Sequence, residues 1–366
     1  MKDFYISAFL IILMSIILVS CSKTENENYV PIQVNVNLAN VPFGKLSDYN
    51  FFQGNLKELN PMENVLPYEP ASSLFSDYAH KKRFVWMPAG SKATYVSDDK
   101  VFDFPVGAVL IKSFYYENTL PNNLKKIIET RLLIKKLDGW KTYEYIWNED
   151  QTDAILETTG NSTVRQITFI ENNNTKTVTY RTPSQTSCLT CHKINPSQTE
   201  EITNPIGPKP QNLNTIFTYN GVAQNQLTKW KSVGYLGNDI PDLASINSTV
   251  DYRDTSKSLE LRARSYMDIN CAHCHQTGGH CDYVPQRFNF SNTDRRLAGV
   301  CLPPKTAVNN FPFIITAGNS NNSLIINKMS SNDAAVMMPF IGRSSVHTEG
   351  VQLISDWINS MPSTCR

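Results

Sequence analysis

The sequence predicts an α+β protein in two domains, with an antiparallel β-rich domain before an all-α domain. Short runs of β-branched and aromatic residues, separated by turn signals, fill residues 45–200. Helical spacing of apolar residues dominates only in residues 253–366. The length of 366 residues also exceeds what one hydrophobic core usually organises. Two domains are therefore the expected arrangement.

The amino terminus predicts an exported chain. An apolar run from Ala8 to Val19 is too short for a comfortable membrane span and ends in Leu18-Val19-Ser20-Cys21. This ending resembles the lipobox of bacterial lipoproteins, which implies that residues 1–20 are a signal peptide and that Cys21 carries the lipid anchor. An ordinary cleaved leader is the alternative. Either leader takes the chain out of the cytoplasm, and the lipid would hold it on the periplasmic or cell-surface side of a bacterial membrane.

The stretch from 21 to 44 is polar and Asn-rich, which predicts a flexible tether. The formal net charge of the chain is only +1. Because no basic tract accompanies this near-neutral balance, we expect no nucleic-acid partner.

Six candidate strands follow one another in the first domain. Turn signals separate them, among them Asp138-Gly139 and the run Asn172-Asn173-Asn174. Short strands at this spacing predict an antiparallel sheet that ends just before the first cysteine motif. The strands are predicted at residues 108–116, 130–135, 141–147, 154–158, 164–170 and 176–181.

Two C-x-x-C-H motifs carry the chemistry of the chain. They are Cys188-Leu189-Thr190-Cys191-His192 and Cys271-Ala272-His273-Cys274-His275. In this pattern the two thiols attach covalently to one haem and the adjacent imidazole becomes an iron ligand. A structural zinc or a redox dithiol is the alternative, but neither requires a histidine directly after the second cysteine. The motifs therefore predict two covalently bound c-type haems.

The chain after the first motif is divided into a connector and a helical part. The run Asn204-Pro205-Ile206-Gly207-Pro208 excludes regular helix and predicts a connector over residues 201–252, with a short helix at 222–233. Apolar residues at helical spacing predict a helix over 256–270, leading into the second motif, and a closing helix over 348–361. Met337-Met338-Pro339 lies between these two helices.

A helix, a C-x-x-C-H motif, a later Met-Pro and a closing helix together resemble class I cytochromes c. The resemblance implies that residues 253–366 are an all-α domain of that kind, in which Met338 is the sixth ligand of the iron on His275. Met337 and His347 are the alternatives to Met338. A thioether ligand stabilises six-coordinate iron, which suits electron transfer.

The first domain resembles the cytochrome P460 and cytochrome c′-β group. The matching segments are Phe104-Pro105-Val106-Gly107, Gly139-Trp140 and the first C-x-x-C-H motif. The resemblance implies an iron on His192 whose distal side can lack a protein ligand. By residue type alone, His80 and Met87 are alternative sixth ligands.

Taken whole, the chain resembles an uncharacterised family of exported di-haem c-type cytochromes. The resemblance implies an electron carrier with a redox partner protein, either another cytochrome or a dehydrogenase. The alternative is a haem enzyme or gas-binding protein that acts on small nitrogen or oxygen species at an open iron on His192, with the second haem as a relay. Since no nucleotide-binding glycine motif or hydrolase triad is evident, a carrier is favoured over an enzyme. The segments that carry the resemblance include Leu74-Phe75-Ser76-Asp77-Tyr78, Phe84-Val85-Trp86, Trp147-Asn148-Glu149-Asp150, Pro205-Ile206-Gly207-Pro208-Lys209 and Met337-Met338-Pro339.

Three cysteines remain beyond the motifs and Cys21. A disulfide between Cys281 and Cys301 would close a loop of about 20 residues across the segment after the second motif. Cys365 would then be free, although its pairing with either of the other two is equally compatible with the sequence.

Overall fold

An eight-stranded antiparallel sheet dominates the structure, a computed structural model that describes residues 33–197, 200–308 and 310–365. The predicted signal peptide, Cys21 and the tether up to residue 32 lie outside the described residues. From Val34 to Arg366 the chain forms one compact unit.

The sheet follows the order β10-β9-β5-β6-β7-β8, and β4 pairs with both β3 and β5. Two-residue turns join some neighbouring strands. Asn172 and Asn173 both have positive φ, as the turn between β9 and β10 requires, and asparagine tolerates that geometry. The strands are β1 (Phe52–Gln53), β2 (Asn60–Pro61), β3 (Leu66–Pro67), β4 (His80–Trp86), β5 (Val109–Thr119), β6 (Leu124–Lys136), β7 (Gly139–Trp147), β8 (Ala154–Leu156), β9 (Thr163–Glu171) and β10 (Asn174–Thr182).

Each of the six predicted strands is present within a few residues of its expected bounds, as β5 to β10. Strand β4 was not predicted, because its run of charged residues, Lys81-Lys82-Arg83, does not alternate with apolar ones. Residues 34–44, the predicted end of the tether, do not behave as a tether. Val41 is buried, and the Asn35 N–H donates to the Tyr49 carbonyl at 2.8 Å.

Helices are short and scattered among irregular segments. Three strand pairs lie outside the main sheet among the described residues. They are β1 with β2, β11 (Lys193–Ser197) with β12 (Glu200–Thr203), and β13 (Ile216–Tyr219) with β14 (Val222–Asn225). The hairpin of β13 and β14 occupies the start of the helix predicted at 222–233. The helices are α1 (Gln185–His192), α2 (Pro210–Leu213), α3 (Gln226–Ser232), α4 (Leu259–Met267), α5 (Leu324–Met329) and α6 (Thr348–Asn359).

The prediction of an all-α class I cytochrome c domain over residues 253–366 is wrong. Helices α4 and α6 form near their predicted positions, but α5 and a 3₁₀ turn at Ser320–Asn322 are the other helical elements described after the second motif. The intervening residues contain many Gly, Pro, Asn and Ser residues, which favour turns over helix. Irregular chain therefore supplies much of this core, where Ile314 and Ile315 belong to the same buried cluster as Trp357.

Candidate functional site

Helix α1 carries the first motif. The Ser184 hydroxyl caps its start by accepting a hydrogen bond from the Ser187 N–H at 3.3 Å. Cys188 and Cys191 are three residues apart, so one face of the helix carries both thiols. His192 ends the helix, because Lys193 has extended backbone angles and begins β11.

The ring of His192 is fixed in one tautomer. Its Nδ1 lies 2.9 Å from the Asn204 carbonyl oxygen, and the Asn204 N–H donates back to the His192 carbonyl at 2.6 Å. Since a carbonyl oxygen only accepts, Nδ1 carries the proton and Nε2 keeps its lone pair for a metal. Burial lowers the pKa of His192 to about 4, which keeps the imidazole neutral at pH 7.

The second motif begins where α4 changes into a π-helical turn, Asp268–Ala272. Such turns occur often at functional sites. Asp268 fixes this turn, because its buried carboxylate accepts from the Phe290 N–H at 2.9 Å and from Gln211 Nε2 at 3.2 Å. Cys271 lies in the turn, and its carbonyl accepts from the His275 N–H at 3.0 Å.

His275 is buried beside Phe288, with 5.1 Å between the ring centroids. Burial lowers its pKa to about 4, so this imidazole is also neutral at pH 7. Its Nδ1 is buried and has no hydrogen-bond partner among the described residues. A buried polar atom without a partner is costly, which marks His275 as a side chain held ready for another group.

The two motifs meet. The ligand atoms of Cys191, His273 and Cys274 all lie within 4.8 Å of one another, a group that can hold a metal ion. Close packing at Gly278 helps to bring the motifs together, because the Asn195 N–H donates to the Gly278 carbonyl at 2.8 Å. A Cβ at Gly278 would lie 2.4 Å from the Asn195 carbonyl oxygen, so only glycine fits there.

A single cavity of about 460 Å³ lies between the motifs, and all six of their cysteine and C-terminal histidine side chains line it. Its volume is in the range of cofactor pockets. The charged lining is strongly unbalanced, since Asp77 is the one acidic residue against six basic ones. A lining of this sign attracts an anionic ligand. The basic residues are Lys112, Arg131, Arg181, Lys305, Lys328 and Arg343.

Met338 lines the same cavity as His275, whereas Met337 is not among the lining residues. Arg343 holds the loop of Met338. Its guanidinium donates to the carbonyls of Met338 at 3.1 Å and Ser331 at 2.8 Å, and also to that of Met329 at 3.3 Å. The Met338 N–H donates to the Lys328 carbonyl at 2.9 Å. The loop is thus tied to the end of α5.

His347 also lines the cavity, but both of its ring nitrogens have partners. The Tyr266 hydroxyl lies 2.9 Å from Nδ1, and the Tyr252 hydroxyl lies 3.5 Å from Nε2. The ring stacks on Phe75 with 4.2 Å between centroids. This environment makes His347 a packed core residue and leaves Met338 as the better donor for a metal on His275.

The alternative ligands for a metal on His192 lie elsewhere. His80 is exposed on β4, and its ring packs on Tyr115 with 5.5 Å between centroids. Met87 is buried in the core, and its N–H donates to the Tyr235 hydroxyl at 3.2 Å. Neither residue lines the cavity.

No protein-family model, curated protein or solved structure matches this chain. Its function is therefore inferred from the residues of the site. Among the described residues no helix is both long enough and apolar enough to cross a membrane.

The disulfide joins Cys301 to Cys365, with 5.2 Å between the Cα atoms. The predicted disulfide between Cys281 and Cys301 therefore does not form. The alternative, in which Cys301 pairs with Cys365, is the disulfide present. Cys281 keeps a free, buried thiol. Its N–H donates to the Cys274 carbonyl at 3.0 Å, and its side chain lines the cavity.

Sequence reasoning gave Lys112 a candidate role, as the lysine that joins the macrocycle in the cytochrome P460 group, and missed the other basic side chains of the site. Lys112 and Arg131 lie opposite each other on β5 and β6, and both face the cavity. Their signal was a charged residue inside a strand of otherwise apolar and aromatic residues. Arg343 gave no signal, because its role depends on carbonyl groups that only the fold brings together.

Proposed function

We propose that this chain is an exported, lipid-anchored di-haem c-type cytochrome that transfers electrons to or from a redox partner protein. In this proposal Cys188 and Cys191 attach one haem and Cys271 and Cys274 attach the other. The observation that carries it is the single cavity lined by both complete C-x-x-C-H motifs. Bound haem would supply a one-electron couple between ferric and ferrous iron.

The residues present fit such a group. His192 has its proton on Nδ1, which leaves Nε2 as a donor, and His275 is neutral, buried and short of a partner. Haem carries two propionates, and the six basic residues of the lining suit negative groups. Met338 supplies a thioether on the side of the cavity where Arg343 fixes the backbone. The chain therefore offers attachment, ligation and charge balance in one place.

The chain's own residues would keep the site rigid. Asn204 holds the His192 ring, and Arg343 holds the Met338 carbonyl, so neither ligand has to move when the charge on the metal changes. Apolar side chains, including Ile325 and Met329, form part of the cavity wall. Ligands held in fixed positions suit electron transfer.

One observation favours a second candidate, a haem enzyme or gas-binding protein with an open iron on His192. Neither His80 nor Met87 lines the cavity, so the sixth position on that side has no ligand from the expected residues. Small nitrogen or oxygen species would then reach this iron.

The test is haem stoichiometry of the full chain, produced with a haem-attachment system and measured by intact mass. The native chain is expected to carry two haems. Cys188→Ala/Cys191→Ala and Cys271→Ala/Cys274→Ala should each carry one, whereas Cys281→Ser, which removes a thiol from the same cavity, should still carry two. Binding of carbon monoxide to the native protein would favour the open-iron candidate, and its absence would favour the carrier.

The contrary result is a chain without haem that binds one zinc ion. If Cys191→Ala and His273→Ala each abolish that zinc while Cys188→Ala does not, the three converging ligands form a metal site and the cytochrome proposal fails.

A further inference from the structure

A second, smaller cavity of about 90 Å³ lies against the sheet, beside the first motif. It has room for about three water molecules or one small ligand. Its floor is formed by β5, β6 and β7, and the connector at Pro205–Pro208 covers it. His192 and Cys188 are at its edge.

Three basic side chains from neighbouring strands line this small cavity, and two of them, Lys112 and Arg131, line the large cavity as well. The three are Arg83 on β4, Lys112 on β5 and Arg131 on β6, and the register places Lys112 opposite both arginines. Apolar side chains such as Leu110 and Ile206 make up much of the remaining wall. Cations enclosed by apolar walls bind an anion much more strongly than cations in water.

The acidic residues nearby do not balance this charge. Glu129 is fully buried and engages Arg131, whose Nε donates to it at 3.1 Å, and it also accepts from the Tyr180 hydroxyl. Glu69 is half exposed and lies 3.8 Å from Arg83 Nη1. No carboxylate among the described residues lies within 4.0 Å of Lys112 Nζ. The other titratable groups that line this cavity are Tyr68, Tyr143, Glu144, Cys188 and His192. Nearby, Lys81 acts electrostatically on Lys112, Tyr180 on Arg131, Glu157 on Glu144 and Asp77 on Lys81.

One buried side chain in the cavity wall has a polar atom without a hydrogen-bond partner. Arg83 is 6% exposed, and its Nη1 donates no hydrogen bond among the described residues. Buried polar atoms of this kind are rare without a ligand or water. Arg83 lines the small cavity.

Glu144 does not act as the missing counter-charge. Burial and the hydrogen bond with the Glu129 carboxylate raise the pKa of Glu144 well above its usual range, so at pH 7 Glu144 is protonated and its O–H is shared with Glu129. Burial and the nearby arginines lower the pKa of Lys112, and a bound anion would reverse that effect.

We propose that this cavity binds one small oxyanion group, a carboxylate or an inorganic oxyanion, between Arg83 and Lys112. The site stands on residues of the sheet and does not require the proposed function. If haem is bound, its propionate is one source of such a group, and a free anion is the other. Both share the same chemistry, since guanidinium and ammonium groups donate to oxygen atoms.

The experiment titrates the full haem-loaded chain with formate and with nitrate by calorimetry, at constant ionic strength. Gluconate keeps the ionic strength constant while the concentration of formate or nitrate is varied, because gluconate is too large for a cavity of this size. We expect one saturable site per chain. Lys112→Met and Arg83→Gln should each weaken binding about tenfold or more, as loss of a charged hydrogen bond implies. Lys82→Met, on the same strand as Arg83, should leave binding unchanged.

Circular dichroism of each variant shows whether it is folded. If Arg83→Gln unfolds, Lys112→Met alone decides.

The source of the oxyanion is read from a second protein, Cys188→Ala/Cys191→Ala. Binding to this variant but not to the native chain, with the same dependence on Lys112, identifies the occupant as the haem's own propionate. Absence of saturable binding to either protein, or equal binding by Lys112→Met, overturns the proposal. Haem content is measured separately, so this failure is distinguishable from failure of the cytochrome proposal.

Discussion

The buried carboxylate of Asp77 accepts hydrogen bonds from the backbone N–H of Ser344, at 2.8 Å to one oxygen and 3.0 Å to the other. The adjoining Ser345 N–H donates to the same carboxylate at 2.8 Å. Asp77 precedes β4, and Ser344 follows the Met338 loop. The Asp77 carboxylate therefore helps to hold that loop against the large sheet, across 267 positions of sequence, beside the bond of 2.6 Å from the Ser344 hydroxyl to the Thr179 carbonyl on β10.

Replacing Asp77 should loosen this attachment. Asp77→Ala leaves the N–H groups of Ser344 and Ser345 without their acceptor, and we expect a loss of about 3 kcal/mol in the free energy of unfolding. Urea denaturation followed by tryptophan fluorescence measures it. Ser345→Ala removes only one hydroxyl bond, of 2.7 Å to Asp77, and should cost about 1 kcal/mol. Equal losses in the two variants would show that the carboxylate does not hold the loop.

Met338 is predicted to ligate the iron on His275. In Met338→Ala both haems should remain attached, because the thioether bonds do not involve this residue, but one iron should now bind carbon monoxide. The absorption spectrum of the reduced protein before and after carbon monoxide measures this change. Met337→Ala is the matched control, since Met337 does not line the cavity, and its spectrum should stay native. A native spectrum for Met338→Ala would exclude Met338 as a ligand.

The sheet could be predicted from the sequence because its signals are local. Strands β9 and β10 follow from alternating side chains and an asparagine turn, and each of these lies within a few residues. The prediction of a class I cytochrome c domain was wrong because it rested on two helices, which do form, and on a resemblance to that class. Apart from the short helix α5 and one 3₁₀ turn, the described chain between His275 and Thr348 is irregular, and part of it packs around Trp357.

Cys281 should be the one free thiol of the haem-loaded chain after its leader and anchor are removed. Four cysteines would be attached to haem, and Cys301 and Cys365 form the disulfide. The denatured haem-loaded chain without its leader and anchor should therefore react with one equivalent of thiol reagent before reduction and with three after it. Cys281→Ser should give none before reduction and two after it. More than one equivalent in the native sequence before reduction would mean that an attachment site or the disulfide is incomplete.

The disulfide should contribute substantially to stability, because it joins positions separated by 64 residues. Closing a loop of that length lowers the entropy of the unfolded chain by an amount worth about 4 kcal/mol. Cys301→Ala/Cys365→Ala should lower the free energy of unfolding in that range, measured by urea denaturation. Cys281→Ala, which removes a buried thiol outside the disulfide, should change it much less.

The site was only partly predictable, for a physical reason. The motif residues could be recognised from the sequence, because the C-x-x-C-H pattern has a fixed spacing within five positions. The contacts of Asp77 with Ser344 and of Arg343 with the Met338 carbonyl join parts of the chain that no local pattern relates. The choice of Cys365 over Cys281 as the partner of Cys301 depends likewise on where the tail lies.

His347 should make the protein less stable in mild acid. An unfolded histidine has a pKa of about 6.5, whereas burial lowers the pKa of His347 to about 4. Between these values the unfolded chain binds the extra proton, so stability is complete above pH 6.5 and falls as the pH drops towards 4, by about 3 kcal/mol in full. Glu349 Oε2 lies 3.7 Å from Nε2 of His347 but is half exposed. Its charge raises the pKa of His347 by less than burial of the ring lowers it.

Urea denaturation at pH 7 and pH 4.5 should show a smaller pH dependence for His347→Gln than for the native chain. His280→Gln, at an exposed ring, should keep the native dependence, and equal slopes in all three proteins would mean that His347 does not carry the effect.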